Sequence, residues 1–239
     1  MKNHALVRNL ITAGLVLVSG AASAAAFSDG FESGLNGWST AGDVSNQGGY
    51  IALTTASLTE VDDAPLPAGV FNFSGITAVE VGVADGLESR IGLMPGALDS
   101  VDGFAYEGSA MWRELTVSAG DTLRFDWLFA TSEPYVDPLP DYAFLLVGDQ
   151  VIRIADESDA PFPPTTPFRR ESNLSTFEYV FTQSGAVRLG FGVVDVGDYA
   201  ATSALAIDNL SITPVPEPSG WALLLGGLGV IVASARRRI

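Results

Sequence analysis

The chain of 239 residues contains no cysteine, so disulfides and thiolate chemistry are both excluded. Its one histidine is His4 and its one lysine is Lys2, both at the extreme N-terminus. The stretch from residue 27 to residue 214 therefore has no His, Cys or Lys. A Ser-His-Asp or Cys-His centre has no imidazole base to draw on there, and a His-rich zinc site has no ligands. Carboxylate chemistry survives, either as an acid/base pair of the glycosidase kind or as hard-metal sites. Positive charge is scarce as well: this body carries seven arginines against 27 acids, a net charge of −20. Such a surface repels nucleic acid and anionic lipid, so no nucleic-acid partner is expected. It favours solubility, and it offers many oxygen ligands to calcium.

Both ends read as processing signals. Lys2 and Arg8 precede the apolar stretch "LITAGLVLVSG" and then "AASAAA". Small residues at Ala22 and Ala24, or at Ala24 and Ala26, fit the small-x-small cleavage rule of a secretory signal peptide. Residues 1–26 are thus expected to direct export and to be removed after Ala24 or Ala26. The other end reads "VPEPSGWALLLGGLGVIVASARRRI". Its apolar run, Trp221 to Ala235, is shorter than the roughly 20 residues that cross a bilayer comfortably. Arg236, Arg237 and Arg238 set the extreme end inside, while Pro216 and Pro218 keep the preceding chain extended. An ordinary tail anchor is the competing reading.

Pro216, Glu217 and Pro218, the apolar run and the terminal arginines, in that order, closely resemble the PEP-CTERM sorting signal of Gram-negative bacteria. The resemblance implies recognition and processing by exosortase, an integral-membrane cysteine protease. It further implies a transient stop in the inner membrane through residues 221–235, then delivery to the cell surface or extracellular matrix. Proteins of this group are associated with exopolysaccharide and biofilm.

The body between the signals, 27–214, reads as β throughout. Short runs rich in Val, Ile, Leu, Phe and Thr alternate with Gly, Pro, Asp and Ser. Strands are predicted near 50–58, 77–84, 112–119, 122–130, 142–148, 150–156, 175–182, 186–195 and 203–213. In "TLRFDWLFA", Leu123, Phe125, Trp127 and Phe129 fall on one face, with Arg124 and Asp126 on the other. "SAGDTL" and "VGDQVI" place Gly-Asp between apolar runs, a short-turn signal. No sustained 3.6-residue apolar period appears. This pattern predicts an all-β fold, a two-sheet antiparallel β-sandwich of jelly-roll type, with an immunoglobulin-like sandwich as the alternative. Seven of the 13 prolines lie between Pro134 and Pro167, in two loops that read as edge protection or as a ligand rim.

"FSDGFESGLNGWSTAGDVS" (27–45) and "VVDVGDYAATSALAIDNLSIT" (193–213) resemble the opening and closing strands of bacterial jelly-roll modules, among them carbohydrate-binding modules. That resemblance implies a structural calcium held by Glu32 and Asp208, with Asp29 and Asp43 as further ligands nearby. Asp195 and Asp198, and Glu133 and Asp141, are further acids of interest, either as a second metal site or as a glycosidase pair. With 27 acids in the body, chance proximity is the simpler account of them. Sugar modules stack aromatic rings on pyranose faces. Trp112 and Tyr135 are the candidate sugar-binding residues, with Tyr106 and Tyr142 near loops, whereas Trp38 and Trp127 read as packing. The missing catalytic residue types favour a non-catalytic role. A carbohydrate-binding module and a carboxylate-dependent glycosidase are the alternatives.

Overall fold

A computed structural model of the chain describes residues 26–59, 66–101, 103–134, 139–215 and 227. The expected signal peptide up to residue 25, the sorting residues Pro216, Glu217, Pro218 and Arg236 to Arg238, and Tyr135 lie outside them. Among the described residues no helix is long and apolar enough to cross a membrane.

The strands in chain order are β1 (Phe27–Asp29), β2 (Ser39–Ala41), β3 (Asp43–Asn46), β4 (Ile51–Thr54), β5 (Val79–Glu80), β6 (Ala105–Val117) and β7 (Thr122–Thr131). They continue with β8 (Tyr142–Val147), β9 (Gln150–Asp156), β10 (Arg170–Glu171), β11 (Ser175–Val180), β12 (Gly185–Val196) and β13 (Ser203–Thr213). One helix of five residues, α1 (Leu87–Ile91), sits between β5 and β6. All pairings are antiparallel. One sheet runs β10-β7-β13-β4-β3, with β1 on β13 and β11 on β7; the other runs β2-β6-β12-β8-β9, with β5 on β6. The predicted two-sheet antiparallel sandwich is the fold observed.

Alternation decides which side chains meet between the sheets. Leu123, Phe125 and Phe129 of β7 face Leu189, Phe191 and Val193 of β12 in one continuous core. Phe125 and Phe191 pack edge to face with centroids 4.9 Å apart, a geometry worth about 1 kcal/mol beyond the area buried. The other face of β12 is buried too. Val194 and Val196, with Phe144 and Leu146 of β8, pack against Leu87 and Ile91 of α1. Covered on both faces, β12 reads as a nearly unbroken apolar run rather than an alternating one. On the far side of the first sheet, Phe71 stacks on Phe168 at 4.4 Å over Ala130 and Ala204, so two loops cap that face.

Three predicted segments change shape. The strand expected at 77–84 shrinks to Val79–Glu80, because the chain turns through Gly82, Asp85 and Gly86 into α1. That helix ends at Gly92, whose left-handed backbone returns its N–H to Glu88 and Ser89. The strand expected at 50–58 stops at Thr54. Conversely β6 begins at Ala105, well before Trp112. Its first seven residues lie outside the strand predicted near 112–119, and Gly108 is there because β12 lies against it: a Cβ would come 2.3 Å from the Val193 carbonyl oxygen.

Candidate functional site

The acids expected to hold a structural calcium do not come together as one cluster. Asp29 accepts the Phe31 N–H at 2.9 Å with one oxygen and the Trp38 indole N–H at 2.9 Å with the other, and lies 3.9 Å from Arg113. Asp43 is fully buried. It accepts the Thr54 hydroxyl and the backbone N–H groups of Phe73 and Ser74, pinning the 71–75 loop to β3. Both carboxylates are thus committed to protein donors, and their work is structural. Glu32 is exposed beside Gly49. Asp208 is half-buried and accepts the N–H of Asn209 at the bulge where β13 shifts register on β7. Among the aromatics, Trp38 is buried in the core and Trp127 packs against it. Trp112 is half-buried against the outer cluster of the second sheet. Tyr142 is buried and donates its hydroxyl to the Leu98 carbonyl.

A different group of acids does converge. On β12, Leu189, Phe191 and Val193 point between the sheets, and the next position in that alternation is Asp195. Its partner across β6 is Glu107, in phase with Ser109 and Met111. On the other side β8 pairs Ala143 with Val193 and Tyr142 with Val194, which brings Asp141, just ahead of β8, alongside Asp195. Three neighbouring strands therefore each place an acid at one level of the inter-sheet face. Glu133, following β7 in the opposite sheet, closes over this row, and Asp198 reaches in from the β12–β13 turn. Carboxylate oxygens of Glu133, Asp195 and Asp198 all lie within 4.8 Å of one another. The guanidinium of Arg170 holds the backbone that carries Glu133. It donates to the carbonyls of Glu133 and Pro134 at 3.2 and 3.1 Å and pairs with Glu157 at 3.4 Å.

These acids are deep. Asp141 is 0 % exposed, Asp195 1 %, Glu107 4 % and Glu133 6 %; Asp198 alone is open to solvent. Among the described residues no arginine pairs with Asp141, Asp195 or Asp198. Burial pushes the Asp141 carboxyl up to about 7, against the Ser203 hydroxyl at 2.6 Å and the Val196 N–H at 2.9 Å, which favour its charged form. Burial also raises Asp195, and the charges of Asp141, Glu107 and Asp198 raise it further. Like charges placed side by side across a sheet repel, so this end of the sandwich needs a proton, a cation, or both. The Asp195 and Asp141 carboxyls hydrogen-bond each other, and the Asp195 Oδ1 atom is buried with no N–H or hydroxyl donor of the described residues against it.

Beside this group lies an open depression of about 520 Å³ lined by Phe104, Tyr106, Tyr199, Asp99 and Pro95 among others. Tyr106 and Tyr199 meet edge to face at 5.1 Å, and Phe104 is 72 % exposed. Tyr106 precedes Glu107 in the chain, and Tyr199 follows Asp198. Sequence reasoning singled out Tyr106 but had no means of pairing it with Tyr199.

Residues 214–238 match the PEP-CTERM protein-sorting motif, 25 of the 239 residues. The motif indicates an exported protein that passes through a membrane and is sorted to the cell surface, and it implies processing by exosortase. Among curated proteins none matches the chain. Solved structures similar to it include the carbohydrate-binding module CBM61 in complex with β-1,4-galactotriose. That pair shares 13 % identity over 78 % of this chain and 94 % of the module, with a TM-score of 0.32. A CBM4 structure shares 13 % identity over 77 % of this chain and 99 % of its own length, at 0.34. The secreted serine protease VesC of Vibrio cholerae shares 12 % over 71 % of this chain and 34 % of its own, at 0.25. Scores this low assign no ligand and no activity to the present chain.

Proposed function

We propose that this chain, sorted through its C-terminal motif, is a non-catalytic β-sandwich protein of the cell surface or extracellular matrix, working in an exopolysaccharide or biofilm setting. Residues 1–26 direct its export from a Gram-negative cytoplasm, and residues 221–235 hold it in the inner membrane until exosortase acts. One observation carries the non-catalytic reading: the acids that converge are closed to a substrate. A glycosidase needs its two carboxyls to flank a space in which a sugar sits. Here four of the five gathered acids are at least nine-tenths buried.

A second reading, carbohydrate binding, is favoured by the depression beside Tyr106 and Tyr199. Exposed rings next to a carboxylate, here Asp99, suit the apolar face and hydroxyl rim of a sugar. Trp112 and Tyr135 stay as further candidates for ring stacking. One preparation tests both readings. Protein recovered from the surface fraction of producing cells is expected to begin near residue 25 or 27 and to lack Arg236 to Arg238 by intact mass; recovery of the complete tail refutes the sorting step. Tested against a broad polysaccharide panel, it is expected to release no reducing sugar, and hydrolysis of any member would end the non-catalytic reading. Retardation in a polysaccharide gel, lost in Tyr199→Ala, would establish the second reading.

A further inference from the structure

The geometry points to a calcium site formed by Asp195, Glu133 and Asp198, which staples the end of β12 to the loop after β7 and to the β12–β13 turn. The first ground is spacing. Calcium binds oxygen at 2.3–2.6 Å, so two ligands of one ion lie at most about 5 Å apart. The three carboxylates offer oxygens within 4.8 Å of one another, from two stretches of chain, Glu133 after β7 and Asp195 and Asp198 at the end of β12. Magnesium, at 2.0–2.1 Å, demands near-ideal octahedral order and gives up its waters reluctantly.

The second ground is independent of the first. Asp195 is 1 % exposed; its carboxyl bonds that of Asp141, and its Oδ1 lies buried with no N–H or hydroxyl donor of the described residues against it. A carboxylate oxygen shut away from water and from N–H or O–H groups is costly unless something positive occupies its remaining side. Asp141 and Glu107, flanking Asp195 on β8 and β6, add negative charge to the same spot. An all-oxygen ligand set of this charge selects a hard divalent cation over zinc or copper. Access comes from the side of Asp198, the exposed member, where water completes the coordination. Tyr199 follows Asp198 directly, so the ion also holds one wall of the aromatic depression.

The test uses the exported protein, stripped with chelator and titrated with calcium alone. Calorimetry is expected to give one site, with a thermal-melting rise that reverses on chelation and is smaller with magnesium. Asp198→Asn, at an exposed position, is expected to fold normally and to weaken calcium binding at least tenfold. Asp195→Asn is expected to abolish the calcium-dependent rise while melting no lower than wild type in chelator, because it removes a buried charge. Glu32→Gln reports on the alternative site at the first and last strands and is expected to leave the rise unchanged. A rise retained in full by Asp198→Asn, or lost in Glu32→Gln alone, overturns the assignment, as does the absence of any calcium effect on the wild-type protein. Should Asp195→Asn fail to fold, the Asp198→Asn titration decides by itself.

Discussion

Gly192, in the middle of β12, is the most direct probe of how tightly this sandwich is built. A Cβ at that position would lie 2.3 and 2.5 Å from two ring carbons of Phe144 and 2.9 Å from the Ser109 carbonyl oxygen. Carbon atoms pack at about 3.5–4.0 Å, so Phe144 would have to retreat by more than 1 Å. It has no room: the ring is 0 % exposed, and the carbonyl belongs to the neighbouring strand. Two effects of Gly192→Ala oppose each other. Restricting the unfolded chain stabilises by about 0.4–1 kcal/mol, whereas overpacking a well-filled core costs about 1–3 kcal/mol. With two contacts this short the cost belongs near the top of its range, for a net loss of about 2 kcal/mol, or a fall in Tm of roughly 4–8 °C for a domain of this size. Gly30→Ala is the control, since a Cβ there meets nothing within 4 Å; it should be neutral or slightly stabilising. Replacing Phe144 by Leu in the Gly192→Ala background should recover part of the loss. Calorimetric melting of the four proteins measures all of this. A Gly192→Ala protein that melts at or above Gly30→Ala would refute the packing argument.

The buried acids make stability depend on pH in an unusual direction. Asp141 sits at about 7 in the fold against an ordinary value of 3.8. Between those values the folded protein keeps a proton that the unfolded chain has lost, so stability falls as pH rises from about 4 to 7. In chelator the protein should resist urea better at pH 5 than at pH 7.5, by up to about 3 kcal/mol at roughly 1.4 kcal/mol per pH unit for one proton. Asp141→Asn should flatten that slope and raise stability at pH 7.5; an unchanged slope would count against the assignment. Asp43→Ala strands the Thr54 hydroxyl and the Phe73 and Ser74 amides, and should cost about 3 kcal/mol or more in urea unfolding.

Much of the architecture was legible because β structure writes a short-period signature. The segments at 122–130, 142–148, 150–156 and 203–213 became β7, β8, β9 and β13 almost to the residue, since each alternates cleanly or runs apolar between turn residues. The failures share a cause. The strand predicted near 112–119 leaves out Ala105 to Met111, where Gly108 marks close approach to β12, and nothing near it in the chain announces the partner. Likewise "TAVEVGVA" has β composition, but after Val81, whose N–H still bonds the Tyr106 carbonyl of β6, the chain turns through left-handed Gly82 and Asp85 into α1. Asp29 and Asp43, acidic and near the first strand, look like metal ligands until their donors are seen. Those donors include Trp38, nine residues from Asp29, and Phe73, thirty from Asp43.

Composition and alternation are local properties, and they suffice for the class of fold, the sorting address at 214–238 and the chemistry that is excluded. The sequence also contains Glu133, Asp141, Asp195 and Asp198, but as scattered members of an acidic surface. Folding in three dimensions makes them neighbours. Strand order β6-β12-β8 is set by long-range packing of two apolar faces, and it lays side by side acids that the chain separates by dozens of residues. Chance proximity, the simpler account from sequence, gives way because the spatial row follows from the in-phase continuation of three core strands. Burial then turns those carboxyls from solvated charges into groups that need a proton or a cation.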